Sequence, residues 1–113
     1  MNPEKRLPLT PLSFQILVAV ADGPRHGYGI IKEIEERVGA SEAPSTGAMY
    51  LALRRMLGDE LIEEVEPAEG GDRRRRYYRL TGKGRNHAEA ESLRLSRLVE
   101  SARDKKLLTE GAA

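Results

Sequence analysis

The sequence predicts a mainly α fold that carries one small β-hairpin and closes on a long C-terminal helix. Three observations predict it. Apolar residues recur at helical spacing in three short segments before residue 58. Two strand-like segments, residues 61–66 and 75–80, flank a glycine-rich tip. After Thr81, apolar and small residues recur at a near-heptad interval.

Residues 1–8 read as a loose arm with two prolines and two basic residues. Thr10 before Pro11 fits an N-cap followed by a proline in the first helical turn. Leu12, Ile16, Leu17, Val20 and Ala21 then give the first helix an apolar stripe, and Asp22-Gly23-Pro24 ends it. His26-Gly27-Tyr28-Gly29 opens a second helix that runs to about Val38, with Ile30, Ile31, Ile34 and Val38 inward. Lys32 and Glu36 stand at i, i+4 on its outer side. Gly27 and Gly29 would be costly in a helix interior; at its start they allow close approach of another backbone, the neighbouring helix more readily than a phosphate. Gly39 to Ala43 is a short turn.

The third helix is the centre of the chain. Pro44 stops anything arriving from upstream, and Ser45 is a good N-cap. Met49, Leu53, Met56 and Leu57 form a stripe that docks on a core. Thr46, Tyr50 and Arg54, at i, i+4 and i+8, share another face, and Arg55 also lies off the stripe. A cationic face with an aromatic hydroxyl, on a short capped helix, suits the major groove of DNA. The bland alternative is a surface helix with solvated arginines.

Leu61-Ile62-Glu63-Glu64-Val65-Glu66 reads as a strand, Pro67 to Asp72 as a flexible tip, and Arg75-Arg76-Tyr77-Tyr78-Arg79-Leu80 as the return strand. Two helices joined by a tight turn and followed by such a hairpin make a winged helix-turn-helix, which places the DNA-binding domain at residues 9–81. Thr81 then caps a last helix, residues 82–108, followed by a tail at 109–113. A helix of about 25 residues would be about 38 Å long, more than a core of this size covers. Ala88, Leu95, Leu98, Val99 and Ala102 form its seam, and the simplest cover is the same helix of a second copy.

Composition bounds the function. The chain has 113 residues, 39% hydrophobic and 33% charged, which suits one domain with a modest core. Cysteine is absent, so disulfide and thiolate chemistry are excluded. His26 and His87 stand apart without ligand-like companions, so neither a metal nor a cofactor is expected. With no nucleophile–base pair, metal cluster or phosphate loop, the chain does not read as an enzyme. No apolar run approaches the ~18 residues of a membrane span and no signal-peptide pattern opens the chain, so a cytoplasmic protein without membrane contact is expected. Net charge is only +1, but the distribution is uneven. Arg73 to Arg76 is an unbroken basic run, whereas acidic residues concentrate at Glu33 to Glu36 and Asp59 to Glu69.

In sum these residues resemble the PadR family of bacterial transcriptional regulators, from about Leu9 to Leu108. Four pieces carry the resemblance in order: Leu12 to Ala21, similar to the first core helix; Gly23-Pro24-Arg25-His26-Gly27-Tyr28-Gly29-Ile30, similar to the Gly-Tyr helix start; Ser45 to Leu53, similar to the recognition helix; and Arg76 to Arg85, similar to the wing strand and the start of the dimer helix. Ser45, Gly47 and Tyr50 match the recognition-helix motif, Tyr77, Tyr78, Thr81 and Gly84 the wing-to-helix motif, and Tyr28 the second helix. The resemblance implies a homodimeric winged-helix protein of the compact branch that binds operator DNA, usually as a repressor. Two positions depart from the pattern. Ala48 stands where the family commonly has Thr or Ser, which removes a hydroxyl that could contact a phosphate. Glu60 stands where Gly is usual before Leu-Ile, so the turn into the wing is expected to be built differently, with Gly58 as the candidate. Some relatives hold flat aromatic drugs against tryptophan in a dimer pore. This chain has no Trp and one Phe, Phe14, so no stacking site is expected, and an effector of another kind is left open.

The resulting expectation is a repressor that binds double-stranded DNA as a homodimer. Thr46, Met49, Tyr50 and Arg54 are the expected base or near-base contacts, although Met49 also fits the core stripe. Ser45, Lys32, Arg55, Arg73, Arg74, Arg75 and Arg76 are the expected phosphate contacts. The competing reading is a winged-helix interaction module that no longer reads DNA and whose arginines meet an acidic protein.

Overall fold

A computed structural model describes residues 9–67 and 69–109. The expected arm at 1–8 and all but the first residue of the tail lie outside the described residues. The elements are α1 (Pro11–Ala19), β1 (Arg25–His26), α2 (Gly27–Val38), a 3₁₀ turn (Ala40–Glu42), α3 (Thr46–Gly58), β2 (Ile62–Val65), β3 (Tyr77–Leu80) and α4 (Gly82–Asp104).

Each α-helix starts on the cap that its sequence predicts or on one equivalent to it. Thr10 Oγ1 accepts the Ser13 amide at 3.1 Å, and Ser45 Oγ the Ala48 amide at 3.1 Å. Thr81 Oγ1 accepts the Gly84 amide at 2.9 Å. For α2 the cap is an imidazole: His26 Nδ1 accepts the Gly29 amide at 2.9 Å. Each such bond satisfies an amide that the first helical turn leaves without a partner. α1 stops at Ala19, two residues before the predicted end, where the Arg25 guanidinium covers the Ala19 carbonyl at 2.8 Å. On α2, Lys32 reaches Glu35 at 3.6 Å rather than Glu36.

The sheet has three strands in the order β1-β3-β2, all antiparallel. β1 was not legible in the sequence: two residues carry no alternation, and it exists because the extended backbone of the His26 cap lies beside Tyr77. β2 and β3 are shorter than the predicted strands. Arg75 and Arg76 lie in the loop, so all four consecutive arginines belong to the wing tip.

One core holds these layers together. Ile16 and Leu17 of α1, Ile30 and Ile34 of α2, Met49, Leu53 and Met56 of α3, and Ile62 and Tyr78 of the sheet are all buried in it. α1 is its hub and packs on α2, α3 and α4. Two backbone details set where α4 leaves this body. Glu60 adopts φ +61°, so the left-handed turn into the wing is made by the Glu itself, and Gly58 is an ordinary helical residue. Gly84 of α4 lies against β2's approach so closely that a Cβ there would run into the Leu61 carbonyl oxygen. Thr81 ties the same corner, its amide on the Leu61 carbonyl at 3.2 Å and its hydroxyl on that of Glu60 at 2.7 Å.

α4 ends at Asp104, four residues short of Leu108. Lys106 takes φ +65°, the Lys106 amide returns to Arg103 O at 2.9 Å and the Leu107 amide to Ala102 O at 2.8 Å. These two bonds form a Schellman cap with lysine in the position that glycine usually fills. Among the described residues, no helix is long and apolar enough to cross a membrane, and no group of three His, Cys, Asp or Glu could hold a metal ion.

Candidate nucleic-acid interface

α3 is amphipathic in the way its spacing predicts. Met49, Leu53 and Met56 face the core, while Ser45, Thr46, Arg54 and Arg55 are exposed. Met49 has no accessible surface at all. The expectation that it contacts a base is therefore corrected: its side chain is spent on the core, as the i, i+4, i+7 stripe with Leu53 and Met56 demands.

Tyr50 is shared between two tasks. It is 43% exposed, yet its ring lies across Gly27, where a Cβ would meet the phenol oxygen at 2.6 Å. The two early glycines of α2 thus serve packing. Gly27 admits Tyr50, and Gly29 lies under the His26 ring, with Cε1 at 3.3 Å from where its Cβ would be.

The wing stands beside this face. Between them runs an open cleft of about 550 Å³ lined by His26, Gly27, Tyr28, Tyr50, Arg54, Arg74, Arg75, Arg76 and Tyr78, among others. Tyr28, 52% exposed, joins α2 to the wing: the Arg75 guanidinium lies 5.3 Å from its ring centroid, with Lys32 Nζ at 5.8 Å. Arg75 also approaches His26 Nδ1 at 3.4 Å, and the His26 ring meets Tyr77 edge-on at 5.3 Å. Burial first, then the Arg75 charge, hold the His26 imidazole below its usual range; Asp72 opposes this and Arg25 adds to it. The neutral imidazole is the form that can accept the Gly29 amide, and both burial and the Arg75 charge favour it.

The arginine run is less free than its sequence suggests. Arg76 pairs with Glu64 at 3.5 Å and Arg79 with Glu63 at 2.9 Å, the second pair directly opposite in register across β2 and β3. Asp72 holds both Arg74 (3.2 Å) and Arg75 (3.4 Å). Its carboxylate also accepts the Arg74 amide at 2.9 Å, a local Asx turn that shapes the tip. Hydrogen bonds from Arg74 hold the Asp72 carboxyl below the ordinary carboxylate range. Sequence reasoning missed Asp72; its signal was the Gly-Gly-Asp turn immediately before the basic run. It also placed the acidic stretch apart from the arginines, whereas the hairpin folds one onto the other.

A matching family model spans residues 16–90 and is that of the transcriptional regulator PadR-like family. The chain belongs to this family. Solved PadR relatives share the fold. A PadR family transcription regulator from Clostridium difficile is 29% identical, with TM-score 0.71 over 88% of this chain and 100% of that one. A PadR-like regulator from Bacillus cereus is 25% identical, with TM-score 0.71 over 88% and 93%. The regulator BldR from Sulfolobus solfataricus has the same fold, with TM-score 0.72 over 92% of this chain and 66% of that one, at 23% identity. A 37.1 kDa protein in transposon TN4556 of Streptomyces fradiae is 40% identical over 83 residues. That match takes in 74% of this chain and 22% of the longer protein. The PadR chain thus has the winged-helix fold of this family, and its solved PadR relatives are transcriptional regulators.

The predicted seam on α4 divides in two. Gly84, Ala88, Glu91, Leu95, Leu98 and Ala102 fall on one stripe by their 3- and 4-residue spacing. Its first half docks inside the molecule, where Ala88, half-buried, packs against the core. Its second half points beyond the domain, with Leu98 59% and Val99 42% exposed, while Leu95 and Ala102 are half-buried. Beside Leu95 an apolar groove of about 490 Å³ lies between α1 and α4, lined by Leu9, Pro11, Phe14 and Val18. Glu91 sits at its wall, 5% exposed, with its two carboxylate oxygens on Arg94 at 2.9 and 2.7 Å. Those bonds hold the Glu91 carboxyl below its usual range.

Proposed function

We propose that this PadR regulator binds a pseudo-palindromic operator as a homodimer and represses the promoter it covers. The observation that carries the reading is the exposed Thr46–Tyr50–Arg54 face of a capped, core-anchored helix, set beside a wing tip of four arginines. α3 enters the major groove, with Thr46 and Arg54 toward base edges and Tyr50 at the margin. Ser45, Lys32, Arg55 and Arg73 to Arg76 lie toward phosphates. A dimer would set two such helices in successive major grooves, ~34 Å apart.

The exposed half of the α4 stripe and the neighbouring groove support the homodimer, because a run of apolar surface continuous with an internal interface needs a cover. An effector would act by favouring one angle between the two winged domains, since only differential affinity shifts an equilibrium. The domain boundaries at 9–81 and 82–108 follow the same division of labour.

The test is affinity for the DNA upstream of the protein's own gene against a shuffled duplex, over a salt series. Selective binding of one dimer per site, with a steep salt dependence, is expected. Equal and weak binding to both would favour the interaction-module reading, which the pairing of the wing arginines with carboxylates also supports. Leu98→Glu should convert the dimer to monomer in sedimentation equilibrium; an unchanged mass would place the interface elsewhere.

A further inference from the structure

The wing is formally neutral. Between Ile62 and Leu80 five arginines stand with five carboxylates. Asp72 is placed unlike the others, because one carboxylate is gripped by several donors at once. It accepts Arg74 Nε at 3.2 Å and Nη2 at 3.4 Å, has Arg75 Nε at 3.4 Å, and takes the Arg74 amide at 2.9 Å. The Asp72 amide in turn donates to the Tyr77 hydroxyl at 3.2 Å, which fixes the tip on β3. Two guanidiniums and a backbone N–H converging on a pair of anionic oxygens are the donor set that a nucleic-acid phosphate recruits.

We propose that Asp72 occupies, in the free protein, the place a DNA phosphate takes in the complex, and so sets sequence selectivity by suppressing binding to DNA in general. The proposal rests on the DNA-binding reading above. Its physics is an exchange of anions. For Arg74 or Arg75 to reach a phosphate, each gives up an internal carboxylate. Exposed ion pairs are individually weak, so the exchange is permitted. It is also nearly balanced, because one anion replaces another. Displacing Asp72 leaves it to gather a cation of its own, which offsets part of the counterion release that drives non-specific binding. The wing then adds little to affinity for an arbitrary duplex, and discrimination falls to the α3 side chains.

The experiment compares the wild-type chain with Asp72→Asn by fluorescence anisotropy. The probes are a short random-sequence duplex and the upstream duplex, over a salt series. Asparagine keeps an acceptor for the Arg74 amide, so the Asx turn persists while the charge is removed. Asp72→Asn should bind the random duplex roughly three- to tenfold more tightly at low salt, with a slope steeper by about one unit. The ratio of upstream to random affinity should fall. Arg74→Ala should cost more affinity in the Asp72→Asn background than in the wild type, because only there is Arg74 free of its internal partner. Unchanged or weaker binding by Asp72→Asn, with the wild type still selective for its own DNA, overturns this inference and leaves the DNA reading standing. Failure of both proteins to bind any duplex overturns both.

Discussion

Gly82 and Gly84 are two residues apart at the start of α4, and replacing each with alanine should move stability in opposite directions. In open surroundings, Gly→Ala in a helix gains up to about 1 kcal/mol, less in the first turn. Gly82 has nothing within 4 Å of where a Cβ would be, so Gly82→Ala should be neutral or stabilising by a few tenths of a kcal/mol, roughly the first-turn value. Gly84 faces the Leu61 carbonyl, with the Leu80 side chain 3.0 Å from the new Cβ. The carbonyl cannot swing aside freely, because the Thr81 amide holds it at 3.2 Å and the Thr81 hydroxyl, shared with the Glu60 carbonyl, reaches it at 3.0 Å. Overpacking of this kind costs roughly 1–3 kcal/mol, and each weakened hydrogen bond about 1 kcal/mol. Against the small helical gain, Gly84→Ala should lose about 2–4 kcal/mol. With an m value of about 2 kcal/mol/M in urea, that lowers the midpoint by about 1–2 M. The assay is urea unfolding followed by circular dichroism at one fixed protein concentration, since self-association would shift the midpoint by mass action. A Gly84→Ala protein as stable as Gly82→Ala would refute the close approach of α4 to Leu61 and, with it, the angle at which α4 leaves the domain.

The remaining predictions concern backbone strain, pH and recognition. Glu60 and Lys106 adopt positive φ without being glycine, so Glu60→Gly and Lys106→Gly should each raise stability by about 0.5–1 kcal/mol in the same unfolding assay; a loss at either position would argue against the left-handed turn there. The His26 imidazole is held below its ordinary range, so the unfolded chain takes up its proton first, near pH 6.5. Stability should be full above that pH and fall as the pH drops toward the folded value, and His26→Asn, which can still cap α2, should flatten this part of the profile. If the wild-type and His26→Asn profiles coincide between pH 7 and about pH 5, the imidazole is not the cap's weak point. Arg54→Ala should cost ~1–3 kcal/mol on the operator and relax selectivity at one base pair, read by competition with single-base variants. A uniform loss over all duplexes would move Arg54 from the base edges to a phosphate.

Much of this molecule was legible in local pattern. The stripe Met49, Leu53, Met56 and the caps Thr10, Ser45 and Thr81 located three helices, because a 3.6-residue period and a hydroxyl before the first turn are properties of a few consecutive residues. The hairpin was legible from its glycines and flanking β-formers. Less legible was anything that depended on which of two roles a residue plays. Met49 fitted both the core and the groove, and only its complete burial in the core that also holds Ile16 and Ile30 assigned it. Ala88 and Leu98 belong to one stripe, yet the first packs against the core of the domain and the second is exposed, a difference that their shared spacing does not carry.

The sequence by itself determined the fold class, the order of the four helices and the hairpin, and the presence of a basic run beside a capped helix, since each follows from short-range periodicity and turn chemistry. Tertiary structure decided the electrostatics of the site. The carboxylates at Glu63 and Glu64 are 16 and 12 residues from Arg79 and Arg76 along the chain, and antiparallel pairing brings them within 2.9 and 3.5 Å. Asp72 closes on Arg74 and Arg75 only because the tip turns there. Charge interactions fall off over a few ångströms, so the sequence shows an acidic stretch followed by a basic run, and only the folded hairpin pairs the two.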